Sequence, residues 1–580
     1  MCGLTLAIRP SETAQSGSLR SIEGVLSSTI KCRGPDCQGS FSNTFATSTE
    51  VKVEVSLHAS VLGLRGDLTS QPRKGKRGVL GWNGQVFEGL DVKEGENDTQ
   101  KIFEQLEDGA SFDEILQNVE GPFACIYIDL EMSVIHYQLD PLSRRSLLAY
   151  PASSDAKTDM FILSSCFCGE ARAKGIDMRA LLGGEGGRID LGKIQLCEDG
   201  QLDFSKALTL RTDFDLPESS STPWTRVTPI NPTLPHLEGE GSCEPSIDAF
   251  IDHLRTSVRH RVENIPNLQP DQSKVAVLFS GGIDCTFLAY LIHQCLPVDK
   301  SVDLINVSFA PAPSRVDTGK GKNKAPPQPV DAYKVPDRIS GLEAWEELRQ
   351  VCPGRDWRFV EVNVPYDEAR EHRDRIVELM YPSITEMDLS LAYPLYFASL
   401  GHGSLRHADG TTTPYHVTAK VYISGLGADE QLGGYSRHRH AFNTNSWQGL
   451  IDEVSHTLPL IDIIKLTDQT TQMDIHRLPT RNLSRDDRLI SSHARDARYP
   501  FLSLSFISHL SSVPIHIKCD PRLPPGEGDK RLLRLAAKKV GLDKTSGRVK
   551  RAMQFGTRSS KVGGSGRGVK GPKAGEREVS

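Results

Sequence analysis

The chain has 580 residues, 38% hydrophobic and 24% charged, a balance that excludes wholesale disorder and is large enough for several cores. A net charge of -6 calls for no nucleic-acid partner, which would favour a basic face. No apolar run approaches the roughly 18 residues a membrane-spanning helix needs, and twelve scattered cysteines offer neither zinc-site spacing nor a disulfide framework. The start "MCGLTLAIRP" has no basic lead-in before its apolar run, so no signal peptide is expected. Glu12 and Glu23 interrupt a Ser-rich start, which argues against mitochondrial import, and the expected location is cytoplasmic.

Residues 1–212 are rich in short strand-type runs bounded by Gly, Pro, Asp or Ser, among them "CGLTLAI", "EVSLHASVLGL", "GVLGWNG" and "FACIYID". Helical patterns are fewer, chiefly Ser18–Lys31 and Thr99–Asn118, so sheets with helices on one side are expected. Residues 213–245 are crowded with Pro, Ser, Thr and Gly and read as a linker. Residues 246–556 alternate helices with short apolar strands: "KVAVLFS", "VDLINVSFA", "DWRFVEVNV", "KVYIS". That alternation predicts a doubly wound parallel sheet whose ligands bind beyond the strands' C-terminal ends. Residues 310–330 read as a mobile surface loop, and 557–580 as a disordered basic tail.

Cys2 follows the initiator Met and precedes Gly3. Removal of Met1 would leave a cysteine carrying its own α-amine, whose reference pKa of about 7.7–8.0 lets part of it act as base toward the thiol. By itself a small second residue means little. Its setting says more: "CRGPDCQGS" (Cys32–Ser40), Arg65 in "LGLRGD", Asn83-Gly84-Gln85 in "WNGQVFEGL" and Asp98 in "ENDTQ" follow in order.

In these segments the chain resembles the class II glutamine amidotransferases, whose domain is an N-terminal-nucleophile α+β sandwich, and asparagine synthetases in particular. The resemblance implies that the Cys2 thiolate attacks the glutamine amide and that Asn83 and the Gly84 N–H form an oxyanion hole. Arg65 would fork onto the substrate carboxylate and Asp98 pair with its ammonium, with Gln85 completing the glutamine pocket. Gln85 departs from the family's usual Glu, and "LDPLSRRSL" (Leu139–Leu147) departs from the family pattern at most positions.

In the second half, "VAVLFSGGIDCTFLAYLI" runs from an apolar strand through Ser280-Gly281-Gly282 to Asp284 and a helix, so that backbone N–H groups can face an anion. It resembles the pyrophosphate loop of ATP pyrophosphatases, with Cys285 in place of the usual Ser. "VYISGLGADEQLGGY" resembles a second asparagine synthetase segment. Together they imply ATP binding by Leu278, Ser280, Gly281, Gly282, Asp284, Cys285, Val307, Ser424 and Gly425. They also imply Mg²⁺ held by Asp284 and Asp429. Lys530 matches a family lysine that opens a helix, and Lys550 or Arg551 stands near the family's phosphate lysine. Leu426 replaces a carboxylate held essential in the synthetases, and the family's Thr-Thr-Ile-Arg segment appears as "EMDLSLAYPLYFAS", without Arg. This combination resembles the asparagine synthetase domain-containing branch. The expected function is ATP-dependent amidation of aspartate or a related acid with glutamine as nitrogen donor. The alternatives are a pseudoenzyme that keeps the fold and ATP binding, and an amide-forming enzyme with a different acceptor.

Overall fold

A computed structural model describes residues 2–11, 16–152, 157–211, 230–235, 244–266, 272–312, 331–457, 482–562 and 577–579. Much of the expected linker, most of the 310–330 loop and residues 563–576 of the expected tail therefore lie outside the described residues.

The first unit is built on two six-stranded sheets. One has the order Arg179–Ala180, Leu148–Tyr150, Phe161–Ser164, Cys2–Pro10, Lys52–Val61, Cys37–Ala46; the other runs Leu208–Arg211, Gly186–Asp190, Val134–Leu139, Phe123–Asp129, Gly78–Gly84, Arg73–Lys74. Leu4, Leu6 and Ile8 from the first sheet share one core with Val79, Ile126, Ile128 and Tyr137 from the second. Strand Cys2–Pro10 is central, and all nine of its residues are buried, as expected for a strand covered on both faces. The edge strand Cys37–Ala46 instead exposes most positions.

Helix Ser16–Thr29 packs with Ala7, Leu148 and Ile162 on the outside of the first sheet, and helices Asp98–Glu107 and Phe112–Asn118 cover Leu80, Trp82 and Cys125 on the outside of the second. Helices thus lie on both outer faces, not on one side as the strand-rich pattern suggested. The predicted single helix Thr99–Asn118 is two, broken where Gly109 takes φ +95°. Asn97 caps the first of them by accepting from Thr99 N at 2.9 Å, which places Asp98 at its entrance.

The second unit is a seven-stranded sheet in the order Thr412–His416, His402–Arg406, Trp357–Val364, Val302–Phe309, Val275–Leu278, Val421–Ile423, Asp496–Arg498. The last five of these run parallel, but His402–Arg406 and Thr412–His416 pair antiparallel at one edge. The expectation of a parallel sheet holds for its centre and is corrected at that edge. Apolar side chains cover both faces: Phe250, Phe287, Leu291 and Leu348 on one, Ile376, Leu389, Tyr393 and Leu489 on the other. Strand order reverses at Val275–Leu278, which has Val302–Phe309 on one side and Val421–Ile423 on the other. Such a switch point opens a crevice at the strands' C-terminal ends.

Two boundaries shift. Ile230, inside the expected linker, is buried with Leu450 and Ile515, and Asn231 N donates to Ser511 O at 2.8 Å. The expected tail is packed through Val562, where Ser559 and Val562 are buried, and Glu578 bridges to Thr385.

The units meet through buried charges. Arg144 of the first unit donates to Glu120 at 2.7 Å, to Asp140 at 2.8 Å and to the Leu502 carbonyl of the second unit at 2.9 Å. Arg145 reaches Asp496 at 2.8 Å. These arginines come from the segment that departs from the family pattern. Arg144→Ala would leave Asp140 without a cation and Glu120 with only Arg261 at 3.8 Å, so urea unfolding should show a loss of about 3–5 kcal/mol. A loss under about 1 kcal/mol would mean that water reaches the carboxylates once the arginine is gone.

Candidate functional sites

Cys2 starts the central strand and is buried. Its backbone N donates to Asn83 Oδ1 at 2.9 Å. With its carbonyl committed to Cys2 N, Asn83 leaves Nδ2 buried and without a hydrogen-bond partner. Burial raises the thiol's pKa, which Arg33 opposes.

Arg65 and Asp98 are brought together by the loop before helix Asp98–Glu107, where Asn97 Nδ2 donates to the Arg65 carbonyl at 2.8 Å. Burial raises the Asp98 carboxyl, opposed by Arg65 and by the N–H groups of Val86 and Thr99, each 2.9 Å from an oxygen. Burial lowers Arg65, opposed by Asp98. Arg65 Nε and Gln85 Oε1 are, like Asn83 Nδ2, buried without partners. Each such atom costs roughly 1–3 kcal/mol, so a cluster of them marks a place for a polar ligand. An amide, a carboxylate and an ammonium on one small molecule would match this set.

Sequence reasoning missed Gln71, which is buried, accepts from Trp82 N at 2.7 Å and points Nε2 at Cys2 Sγ, 3.7 Å away. Nothing in "TSQPRKG" signals this role. It also gave no role to Arg33, whose Nε donates to the Cys2 carbonyl at 3.1 Å.

The second site is a cavity of about 390 Å³ at the switch point. Leu278, Ser280, Gly282, Asp284, Cys285, Val307, Ser424, Gly425 and Asp429 all line it. Gly281 does not: it takes φ +76°, and a Cβ there would lie 2.2 Å from Ser340 O, so it serves the turn. Gly425 lets the two strand-end loops touch, since a Cβ would stand 2.8 Å from Asp284 Cβ. Cys285 Sγ lies 3.3 Å from the Gly282 carbonyl, so its hydrogen is directed to the loop's own backbone.

Lys530 stands between the carboxylates. Its Nζ is 2.6 Å from Asp284 Oδ2 and 2.8 Å from Asp429 Oδ1, and Lys550 Nζ is 3.0 Å from Asp429 Oδ1. Burial raises the Asp284 carboxyl against the pull of Lys530, while at Asp429 the two lysines outweigh burial and lower it. Lys550 and Arg551 both line the cavity, Lys550 paired with Asp429 and Arg551 near Asp337, a buried carboxyl pushed up to about 7 by burial. Two carboxylates converging on one cationic atom fit a hard divalent cation that takes its other ligands from phosphate. Among the described residues no group of three or more His, Cys, Asp or Glu could hold a metal by itself.

Leu426 lies in the cavity wall and packs on the apolar core below. The helix Glu386–Leu400, which holds the segment lacking Arg, contributes Leu391, Pro394, Leu395 and Ala398 to the wall. An arginine does reach the cavity from elsewhere: Arg485, held by Asp486 at 2.8 Å and Asp388 at 3.1 Å.

Residues 415–567 match the asparagine synthase family model, which places the Asp429–Lys530 region in that class of domain. The asparagine synthetase domain-containing protein 1 of Bos taurus is 33% identical over 97% of this chain and 96% of its own length. A Saccharomyces cerevisiae asparagine synthetase domain-containing protein is 29% identical, covering 92% of this chain and 88% of that one. A putative glutamine-hydrolyzing asparagine synthetase of Methanocaldococcus jannaschii is 28% identical over only 26% of this chain and 23% of its own. The chain belongs to the asparagine synthetase domain-containing protein family. The solved glutamine phosphoribosylpyrophosphate amidotransferase of B. subtilis gives a TM-score of 0.25 at 13% identity, covering 57% of this chain and 71% of that one, too low to bear on the fold. Among the described residues no helix is long and apolar enough to cross a membrane.

Removing Lys530 tests the second site. In Lys530→Met, two buried carboxylates share only Lys550, so one of them retains a proton in the folded state. A carboxyl whose folded pKa lies above its unfolded value costs stability as pH rises through that window. The loss should be about 3–5 kcal/mol near pH 8 and smaller near pH 5. Urea unfolding at both values checks this, and a pH-independent loss would contradict it.

Proposed function

We propose that this chain is a glutamine-dependent, ATP-consuming amide-forming enzyme. The observation that carries the reading is Asn83, whose carbonyl accepts from Cys2 N at 2.9 Å and whose Nδ2 is buried without a hydrogen-bond partner. With Met1 removed, the Cys2 α-amine, held by Asn83 Oδ1, takes the thiol proton. Sγ attacks the side-chain amide of glutamine to give a tetrahedral intermediate whose oxyanion meets Asn83 Nδ2 and the Gly84 N–H; the α-ammonium passes its proton to the departing nitrogen, ammonia leaves, and water hydrolyses the thioester that remains. Arg65 and Asp98 hold the α-carboxylate and α-amine.

In the second cavity, ATP would lie along Ser280–Gly282 and Ser424–Gly425, with Val307 against the nucleoside. Mg²⁺ held by Asp284 and Asp429 would offset phosphate charge. Lys530 and Lys550 already supply positive charge to the same point. The acceptor carboxylate, aspartate or a related acid, would be adenylated there and amidated. Every cysteine among the described residues is free, which supports a reducing, cytosolic location.

Leu426 favours a second reading, in which the cavity binds ATP without amidation, because an apolar side chain can neither take a proton nor hold a cation there.

Ammonia release from glutamine tests the first half: Cys2→Ala should lower kcat by at least about 10³-fold, as for removal of a nucleophile. Equal rates in both proteins would remove Cys2 from the chemistry. Exchange of labelled pyrophosphate into ATP, dependent on an added carboxylic acid, tests the second half. ATP binding without exchange for any aspartate-like acid would select the second reading, and Leu426→Glu should then restore exchange if that position alone carries the loss.

A further inference from the structure

One short helix, Ser484–Ser491, touches both sites through neighbouring residues. Arg485 and Asp486 line the cavity of the second unit. Asp487, the next residue, faces the first unit and is fully buried. Its Oδ2 accepts from Arg33 Nη2 at 2.7 Å and from Ser146 N at 3.1 Å. The same Arg33 donates from Nε to the carbonyl of Cys2 at 3.1 Å. The residue that carries the thiol is thus held from one side by Asn83 and from the other by an arginine whose far end belongs to the second unit.

We propose that Asp487 is a positioning residue for the Cys2 nucleophile, and that the helix Ser484–Ser491 carries the state of the cavity to the thiol. The proposal rests on the glutamine reading above and adds to it the dependence of that site on the second unit. A guanidinium is suited to this work because it is planar and presents donors on separate edges, so one side chain fixes two partners at once. Shifting the helix by a fraction of an ångström at Arg485 or Asp486 moves Asp487 with it, and misplacement by about 1 Å can cost about 10²-fold in a reaction that needs alignment.

The test separates alignment from simple thiol reactivity. A diazoketone analogue of glutamine labels Cys2 only when it is bound and the thiol is aimed, whereas iodoacetamide needs only a thiolate. Labelling of Cys2 in the full chain is followed by mass spectrometry, with and without ATP and Mg²⁺, and thermal unfolding serves as the fold control. In Asp487→Asn the diazoketone rate should fall at least about tenfold while the iodoacetamide rate stays within about twofold or rises. ATP with Mg²⁺ should change the diazoketone rate of the wild type and leave that of Asp487→Asn unchanged. Arg33→Lys, which keeps the charge but loses the fork, should resemble Asp487→Asn and stands in for it should that variant not fold.

Equal diazoketone labelling of wild type and variant, or two reagent rates that move together, would overturn the positioning role. A nucleotide effect that persists in Asp487→Asn would overturn the coupling. A wild-type Cys2 that takes iodoacetamide but never the diazoketone would remove the glutamine reading itself, a failure distinct from the other two.

Discussion

The contact on which the arrangement turns is the buried arginine between the nucleophile and the second unit. Arg33 is 1% exposed and Asp487 0%, so neither charge is solvated except by the other and by the polar groups around them. Charges that deep are costly unless geometry is good and remaining valences are used. Asp487 meets that condition by also taking Ser146 N, while Arg145 finds Asp496 and Arg144 finds Glu120 and Asp140. The units are therefore joined in part by the buried ion pairs Arg33–Asp487 and Arg145–Asp496, beside apolar contacts such as Leu142 and Tyr381 packed across the boundary. Together these fix how the strand bearing Cys2 meets the sheet bearing the cavity.

The second site follows the same principle with the opposite balance. At the Arg33 contact each charge has a protein partner. At the switch point two lysines converge on two carboxylates, and the nearby Asp337 keeps an oxygen without a hydrogen-bond partner. The loop glycines bring these groups within contact distance, and the apolar wall from Leu426 and the helix Glu386–Leu400 closes the other side. The cavity keeps the equipment for a polyanion and has lost polarity where the synthetases resembled here have a carboxylate. That contrast leaves nucleotide chemistry better supported than the identity of the acceptor.

Much of this was legible in the sequence because motifs at strand ends converge. "SGGID" and "SGLGADE" each follow a short apolar strand, and adjacent parallel strands bring Asp284 and Asp429 together. Asn83 and Asp98 were likewise reached through the family resemblance of their segments; Asn83 and Gly84 end the strand Gly78–Gly84, and Asp98 opens a helix. What sequence could not give was set by partners far along the chain. Arg33 and Asp487 lie 454 positions apart, and nothing local marks either as a partner of the other. Lys530 could be matched as a helix-opening lysine, but its place between two aspartates depends on tertiary packing. Gln71 sits in a polar turn with no periodic signal. The antiparallel strands His402–Arg406 and Thr412–His416 were missed because their half-exposed, mixed residues lack the apolar run that marks the central strands. The helix break at Gly109 was hidden by apolar spacing that continues across it.

The central claim is that Cys2 works as an N-terminal nucleophile with its own amine as base, and this requires that Met1 be absent. The mass of the N-terminal peptide of the protein isolated from its own cells tests it most directly. A peptide beginning at Cys2 with a free α-amine is expected. A peptide that retains Met1, or carries a blocked Cys2 amine, would contradict it.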